Sequence, residues 1–333
     1  MKEFEEQYKS ALEEIERLIT ITKDKELLEQ LKKDKEYILN YLYPKPKSDS
    51  KKIDFDLGIT ETKEEIGNFI FSNQLYFYPL TNISFINKDD KQIGKLFNSF
   101  IEEDIFGLKD IYEEIILNNG LTYTDKSDNC WGRNTFIPSI KRNFIEIKKD
   151  KRLYEYNSKV HELGHAKTNI ECVVTNTSSS SLKENSFLES YSIFLELMFA
   201  DYLKNNDKKK QGYELKFLIF QNIKDISKQL YGEYDQYKEY SDVRKGLKYF
   251  FEMNYKTLKG YYLSLYFYYL YQSNQKEGLE IINNFVREIK LLDDTEVIKK
   301  FNLNQNCFSK EIVYKLHKEL KEEKIKIKSR KAE

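Results

Sequence analysis

The chain gives its backbone few places to stop. Only 4 prolines and 12 glycines are spread over 333 residues, and these are the residues that end helices and make turns. A β-sandwich or barrel needs many more turn sites, so long helices are favoured. Apolar residues recur at helical spacing from the start: Phe4, Tyr8, Leu12, Ile15, Leu18 and Ile19, then Leu27, Leu28, Leu31, Ile38 and Leu42, with charge on the other face. Residues 1–50 therefore read as a helical hairpin, broken near 20–25, and a linker rich in proline, lysine and serine. Residues 51–325 read as a second, mainly helical domain, and 326–333 as a frayed basic tail.

Within that second domain the patterning predicts helices over 61–119 with a break near 87–90, then over 154–168, 183–205, 211–231, 236–253, 258–272, 276–291, 294–302 and 309–327. Two short strands are expected around a turn, at 130–138 and 144–147. The 55 basic and 55 acidic residues cancel, which speaks against the basic stripe of a nucleic-acid binder. No stretch reaches the roughly 18 uncharged apolar residues of a membrane span. The opening MKEFEEQYKS lacks the apolar core of a signal peptide. Three cysteines, widely spaced and odd in number, do not form a disulfide framework, so a reducing cytoplasm is the expected setting.

Two of the three histidines sit four residues apart, in His161-Glu162-Leu163-Gly164-His165. Positions four apart share a helical face, so both imidazoles can reach one ion. Glu162, about 100° further round, lies beside that ion. This H-E-x-x-H pattern is a zinc signature in which the histidines ligate and the glutamate is the general base. A catalytic zinc takes three protein ligands and keeps a position for water. His317 lies on a separate amphipathic helix and reads as a solvent-facing or capping histidine, which makes a carboxylate the better third ligand. Two compete. Glu184 follows His165 after 18 intervening residues, the spacing of aminopeptidase-like gluzincins, and Glu189 follows after 23. Glu189, Ser192 and Glu196 fall at i, i+3 and i+7, on one helical face. The apolar neighbours Phe187, Leu188, Ile193, Leu195 and Leu197 leave little of that helix exposed. Such a face offers a ligand and hydrogen bonds that orient a histidine.

HELGHA followed by F-x-E-x-x-S-x-x-x-E at Phe187 to Glu196 resembles the M3 family of metallopeptidases, the oligoendopeptidase F and thimet oligopeptidase group. Upstream, Asn143-Phe144-Ile145-Glu146-Ile147 is similar to the family's strand before the zinc helix. Downstream, Gly260-Tyr261-Tyr262-Leu263-Ser264-Leu265 is similar to its tyrosine-bearing helix. The resemblance spans about residues 120–290. It implies a helical, two-lobed, zincin-like fold enclosing a cleft, with a small antiparallel sheet beside the histidine helix. It further implies zinc held by His161, His165 and Glu189, with Glu162 activating the bound water. Tyr255, Tyr261 or Tyr262 would donate to the oxyanion, and short unfolded peptides would be cut at internal bonds. The strand at 144–147 or its partner would pair with an extended peptide. The chain departs from the family in two ways. Full members are longer than 333 residues, which implies a reduced helical shell, and no histidine occurs between His165 and His317, where the family has one near its tyrosines. Two other readings compete: a gluzincin using Glu184, and a non-catalytic, zinc-stabilised helical binding module. Glu162 argues against the second, since a structural metal needs no base.

Overall fold

A computed structural model of the chain describes residues 2–43, 59, 61–75, 91–125, 131–149, 153–174, 183, 185–239, 245–303 and 305–329. Twelve α-helices and three strands occur among them. In chain order these are α1 (Lys2–Ile21), α2 (Lys25–Leu42), α3 (Lys63–Ser72), α4 (Lys91–Glu102), α5 (Lys109–Leu117), β1 (Leu121–Thr124), β2 (Gly132–Ile137), β3 (Arg142–Lys148), α6 (Leu153–Val174), α7 (Ser190–Asn205), α8 (Lys209–Glu239), α9 (Lys245–Ser273), α10 (Gln275–Glu288), α11 (Asp294–Lys300) and α12 (Lys310–Ser329). Among the described residues no helix is long and apolar enough to cross a membrane.

Helix α7 runs through the middle of the core. Phe194, Leu195, Leu197, Phe199, Ala200 and Leu203 are fully enclosed, and a helix that is apolar all round must be wrapped on every side. It packs against α4, α6, α8 and α9. The approach to α6 is close. A side chain on Gly164 would place its Cβ 2.7 Å from the Ser192 Cα, so glycine is what lets the two helices meet.

The sheet has the order β1-β3-β2. β2 and β3 pair antiparallel from Gly132 with Ile147 to Ile137 with Arg142, as the sequence suggests. The third strand is a difference: β1, four residues long, pairs in parallel with β3, which makes the sheet mixed. β3 is thus the central strand. Its odd residues Ile145 and Ile147 join the main core. Phe144 faces the other way, into a second cluster with Tyr8, Ala11, Ile15, Leu31 and Ile38 of the α1–α2 hairpin. Tyr8 stacks on Phe144 at 5.3 Å, Glu14 pairs with Arg142 at 2.9 Å, and the Ser139 amide donates to Asp34 at 2.9 Å. The hairpin therefore backs the sheet on the face turned away from α6.

Three expected boundaries move. The long helix expected over 183–205 begins only at Ser190, after a turn at 186–189. The breaks expected at 232–235 and 254–257 are helical, so three expected helices become α8 and α9. The tail at 330–333 lies outside the described residues.

Candidate metal centre

Helix α6 carries the H-E-x-x-H sequence, and one turn of helix brings the two imidazoles together. His161 Nε2 and His165 Nε2 are 3.1 Å apart. Glu189 Oε2 completes a triangle, 3.2 Å from His161 and 3.4 Å from His165. These three residues form a cluster suited to a metal ion. Zinc bonds of about 2.0–2.1 Å in a tetrahedron give edges of about 3.3 Å, so the observed triangle has the right size. Its chemistry also fits. Three lone-pair acceptors converge on one point, and a cation or a proton must lie between them. Burial disfavours a charged His161, but its bonds to Glu189 and Glu196 outweigh that and hold its pKa well above the ordinary value. Burial likewise raises Glu189, while the two histidines pull it well below the carboxylate range.

Glu189 sits at the N-cap position of α7 rather than inside the helix. Long-range bonds hold its turn. Asn185 donates to the carbonyls of Ile289 and Leu292 at 2.6 and 3.0 Å. Ser186 donates to Asp294 through its amide at 2.7 Å and its hydroxyl at 2.5 Å. Asp294, fully enclosed, is neutralised by Lys259 at 3.3 Å, which also pairs with Glu61. Helix α9 passes Glu189 at Gly260, beside Lys259.

Glu196, one turn beyond Ser192, accepts from His161 Nδ1 at 2.6 Å. That bond fixes the tautomer and turns the Nε2 lone pair toward the cluster. The other Glu196 oxygen accepts from Asn157 at 2.6 Å. Ser192 behaves differently. Its hydroxyl has no partner, and the residue serves the close contact with Gly164 instead of orienting a histidine. Glu162 is buried beside the imidazoles, and burial raises its carboxyl pKa. Its carboxylate lies directly under Gly132 of β2, where a Cβ would come within 2.6 Å of Oε1. Asn134, two residues along β2, donates to the Glu162 carbonyl at 3.1 Å.

The three candidate tyrosines separate. Tyr261 accepts from Asn222 at 2.9 Å, which leaves its own proton to donate elsewhere. Burial raises its pKa, and the charges of Glu196 and Glu189 add to this, so the phenol stays protonated at neutral pH. Tyr255 faces Glu61. Tyr262 is enclosed against Phe69 with its hydroxyl unpartnered. Neither is joined to the histidine cluster by a contact among the described residues. His317 stacks on Phe220 of α8 at 5.3 Å, away from the cluster. Glu184, the competing ligand, lies outside the described residues. Asn157, Asn134, Gly132 and Asn222 were not anticipated. Only Asn157, at i−4 from His161, carried a local cue.

No protein-family model and no curated protein matches the chain. Solved structures do share its fold. A protein described as an oligoendopeptidase F, from Bacillus anthracis str. Ames, aligns over 88% of this chain and 63% of its own with a TM-score of 0.57 at 14% identity. A PZ peptidase A crystallised with an inhibitor aligns over 78% and 55%, with a TM-score of 0.54 at 15% identity. A further structure described as an oligoendopeptidase F aligns over 71% and 49%, with a TM-score of 0.51 at 13% identity. The chain thus spans between about half and two thirds of the length of these three structures. The shared feature is the mainly helical fold.

Proposed function

We propose that the chain is a zinc-dependent metallopeptidase that hydrolyses internal bonds of short, unfolded peptides. One observation carries this reading: His161, His165 and Glu189 present three ligand atoms at zinc-site spacing, with the Glu162 carboxylate buried beside them. A zinc ion held by these residues supplies a Lewis acid that lowers the pKa of water toward 7. Glu162 takes the proton of the attacking water and passes it to the leaving amine. Its raised pKa suits a group that must both accept and give back a proton. Glu196, steadied by Asn157, keeps the ring of His161 aimed. Tyr261 donates to the oxygen that gains charge as the carbonyl is attacked. The substrate lies along β2, which has one edge without a strand among the described residues, whereas β3 is paired on both sides. Strand addition there draws an extended peptide over Glu162.

The test combines metal analysis with mass-spectrometric mapping of cuts in a mixed peptide pool. Purified protein should carry one zinc per chain and cut internal bonds. Glu162→Gln should keep the zinc and lower turnover by on the order of 10²–10⁴. Intact turnover in that variant, or absence of bound zinc in the wild type, refutes the reading. The gluzincin alternative makes the opposite demand on the ligands, since there Glu184→Ala loses the metal and Glu189→Ala keeps it.

A further inference from the structure

Tyr154, Asn157 and His161 fall at i, i+3 and i+7 of α6, so one helical face leads from the metal ligand to the start of the helix. A carboxylate without a cation waits at that end. Glu214 of α8 accepts the Tyr154 phenol proton at 2.6 Å, and it has no ion pair among the described residues. Burial pushes its carboxyl pKa up, and only the Tyr154 bond opposes this. Trp131 closes the corner, its ring 5.4 Å from that of Tyr154. Trp131 is 42% exposed, and the Lys148 ammonium lies 4.9 Å from the ring centre, so the ring already accepts a cation. Trp131 also directly precedes Gly132, the residue lying over Glu162.

A half-buried carboxylate is costly until a cation pairs with it. An aromatic face beside it adds attraction for that cation. A planar guanidinium meets both demands, pairing with the carboxylate while stacking on the rings. Seven helical residues advance about 10 Å, and an extended peptide advances about 3.3 Å per residue. The corner therefore lies about three residues from a bond held at the metal. We infer that Glu214, Tyr154 and Trp131 form a subsite for an arginine side chain of the bound peptide. This inference rests on the peptidase reading and names the substrates it favours.

Trp131 is the only tryptophan in the chain, so its fluorescence reports the subsite directly. Otherwise neutral octapeptides carrying one arginine, moved position by position, are titrated into the zinc-loaded Glu162→Gln protein beside twins carrying citrulline. At one position, about three residues from the cut mapped with wild type, arginine should bind about tenfold or more tightly and shift the emission. Adding Glu214→Gln should bring the arginine-to-citrulline ratio close to one, and Tyr154→Phe should reduce it by less. Equal binding of the twins at every position, while wild type still cuts neutral peptides, overturns the subsite alone. So does a preference that survives Glu214→Gln. If no peptide binds or is cut, the peptidase reading falls with it.

Discussion

Helix α7 borders two partly buried polar clusters, and they differ in how their charges close. At its first turns, Glu189 and the two histidines crowd three ligand atoms together, and no donor from elsewhere among the described residues reaches them. Asp201, five residues past Glu196, lies about 140° further round the helix and faces a cluster that is complete. Lys216, 2% exposed, donates to Asp201 at 2.6 Å and to the Tyr268 hydroxyl at 2.8 Å. Tyr268 and Gln272 donate to Asp201 in turn, at 2.7 and 2.9 Å. Partial burial and polarity are shared by both clusters and so do not mark the candidate metal site. What marks it is a deficit: the three ligand atoms have only one another for partners among the described residues. A cluster that balances itself holds helices together and leaves no gap in its hydrogen bonding for an ion to fill.

The largest expected effect breaks the closed cluster. Asp201→Asn strands the buried Lys216 ammonium, which should cost about 3–5 kcal/mol of stability, read as a lower urea midpoint. Zinc content and peptide cleavage should stay as in wild type. Loss of metal in this variant would mean that the two ends of α7 are coupled and that the contrast between them is false.

Glu196→Gln tests the open cluster from the side. The amide keeps the shape but weakens the grip on His161 Nδ1, and removing such a support typically costs 10–100-fold in metal affinity. Competition with a zinc chelator measures this, and the urea midpoint of the metal-free protein should hardly move. An unchanged zinc affinity would place the orienting role elsewhere.

The same division explains what the sequence disclosed. His161, Glu162 and His165 were legible because helix geometry alone sets their relation, and four residues of spacing carry all of it. Glu196 was legible because α7 continues past Ser190 as a regular helix. Glu189 was reached from a wrong premise, an unbroken helix from 183. The chain instead turns at 186–189 because Asp294, 108 residues downstream, captures the Ser186 amide and hydroxyl, and no local pattern encodes a partner that far away. β1 was missed for a similar reason. Four residues, Leu121–Thr124, are too few for alternation to register, and their strand exists through pairing with β3. Tyr255, Tyr261 and Tyr262 looked alike in a chain with 26 tyrosines. Only tertiary packing sets Tyr261 near Glu189 and Glu196 while Tyr255 faces Glu61 and Tyr262 packs on Phe69.

Ser192 gives the smallest and sharpest test, because its sequence role and its structural role predict opposite signs. A serine that oriented a histidine would cost metal affinity when replaced by alanine. The serine seen here is buried with its hydroxyl unpartnered, and its backbone and Cβ form the seat for Gly164. Alanine keeps that Cβ and removes a polar group that pays for burial without a bond, a penalty of about 1–3 kcal/mol for an unsatisfied hydroxyl. Ser192→Ala should therefore leave zinc affinity unchanged and raise stability by up to about 1 kcal/mol. The sign follows from the contrast along α7. Next to the open cluster, a hydroxyl that donates to none of its lone pairs contributes packing alone, and the metal affinity of the alanine variant measures that directly.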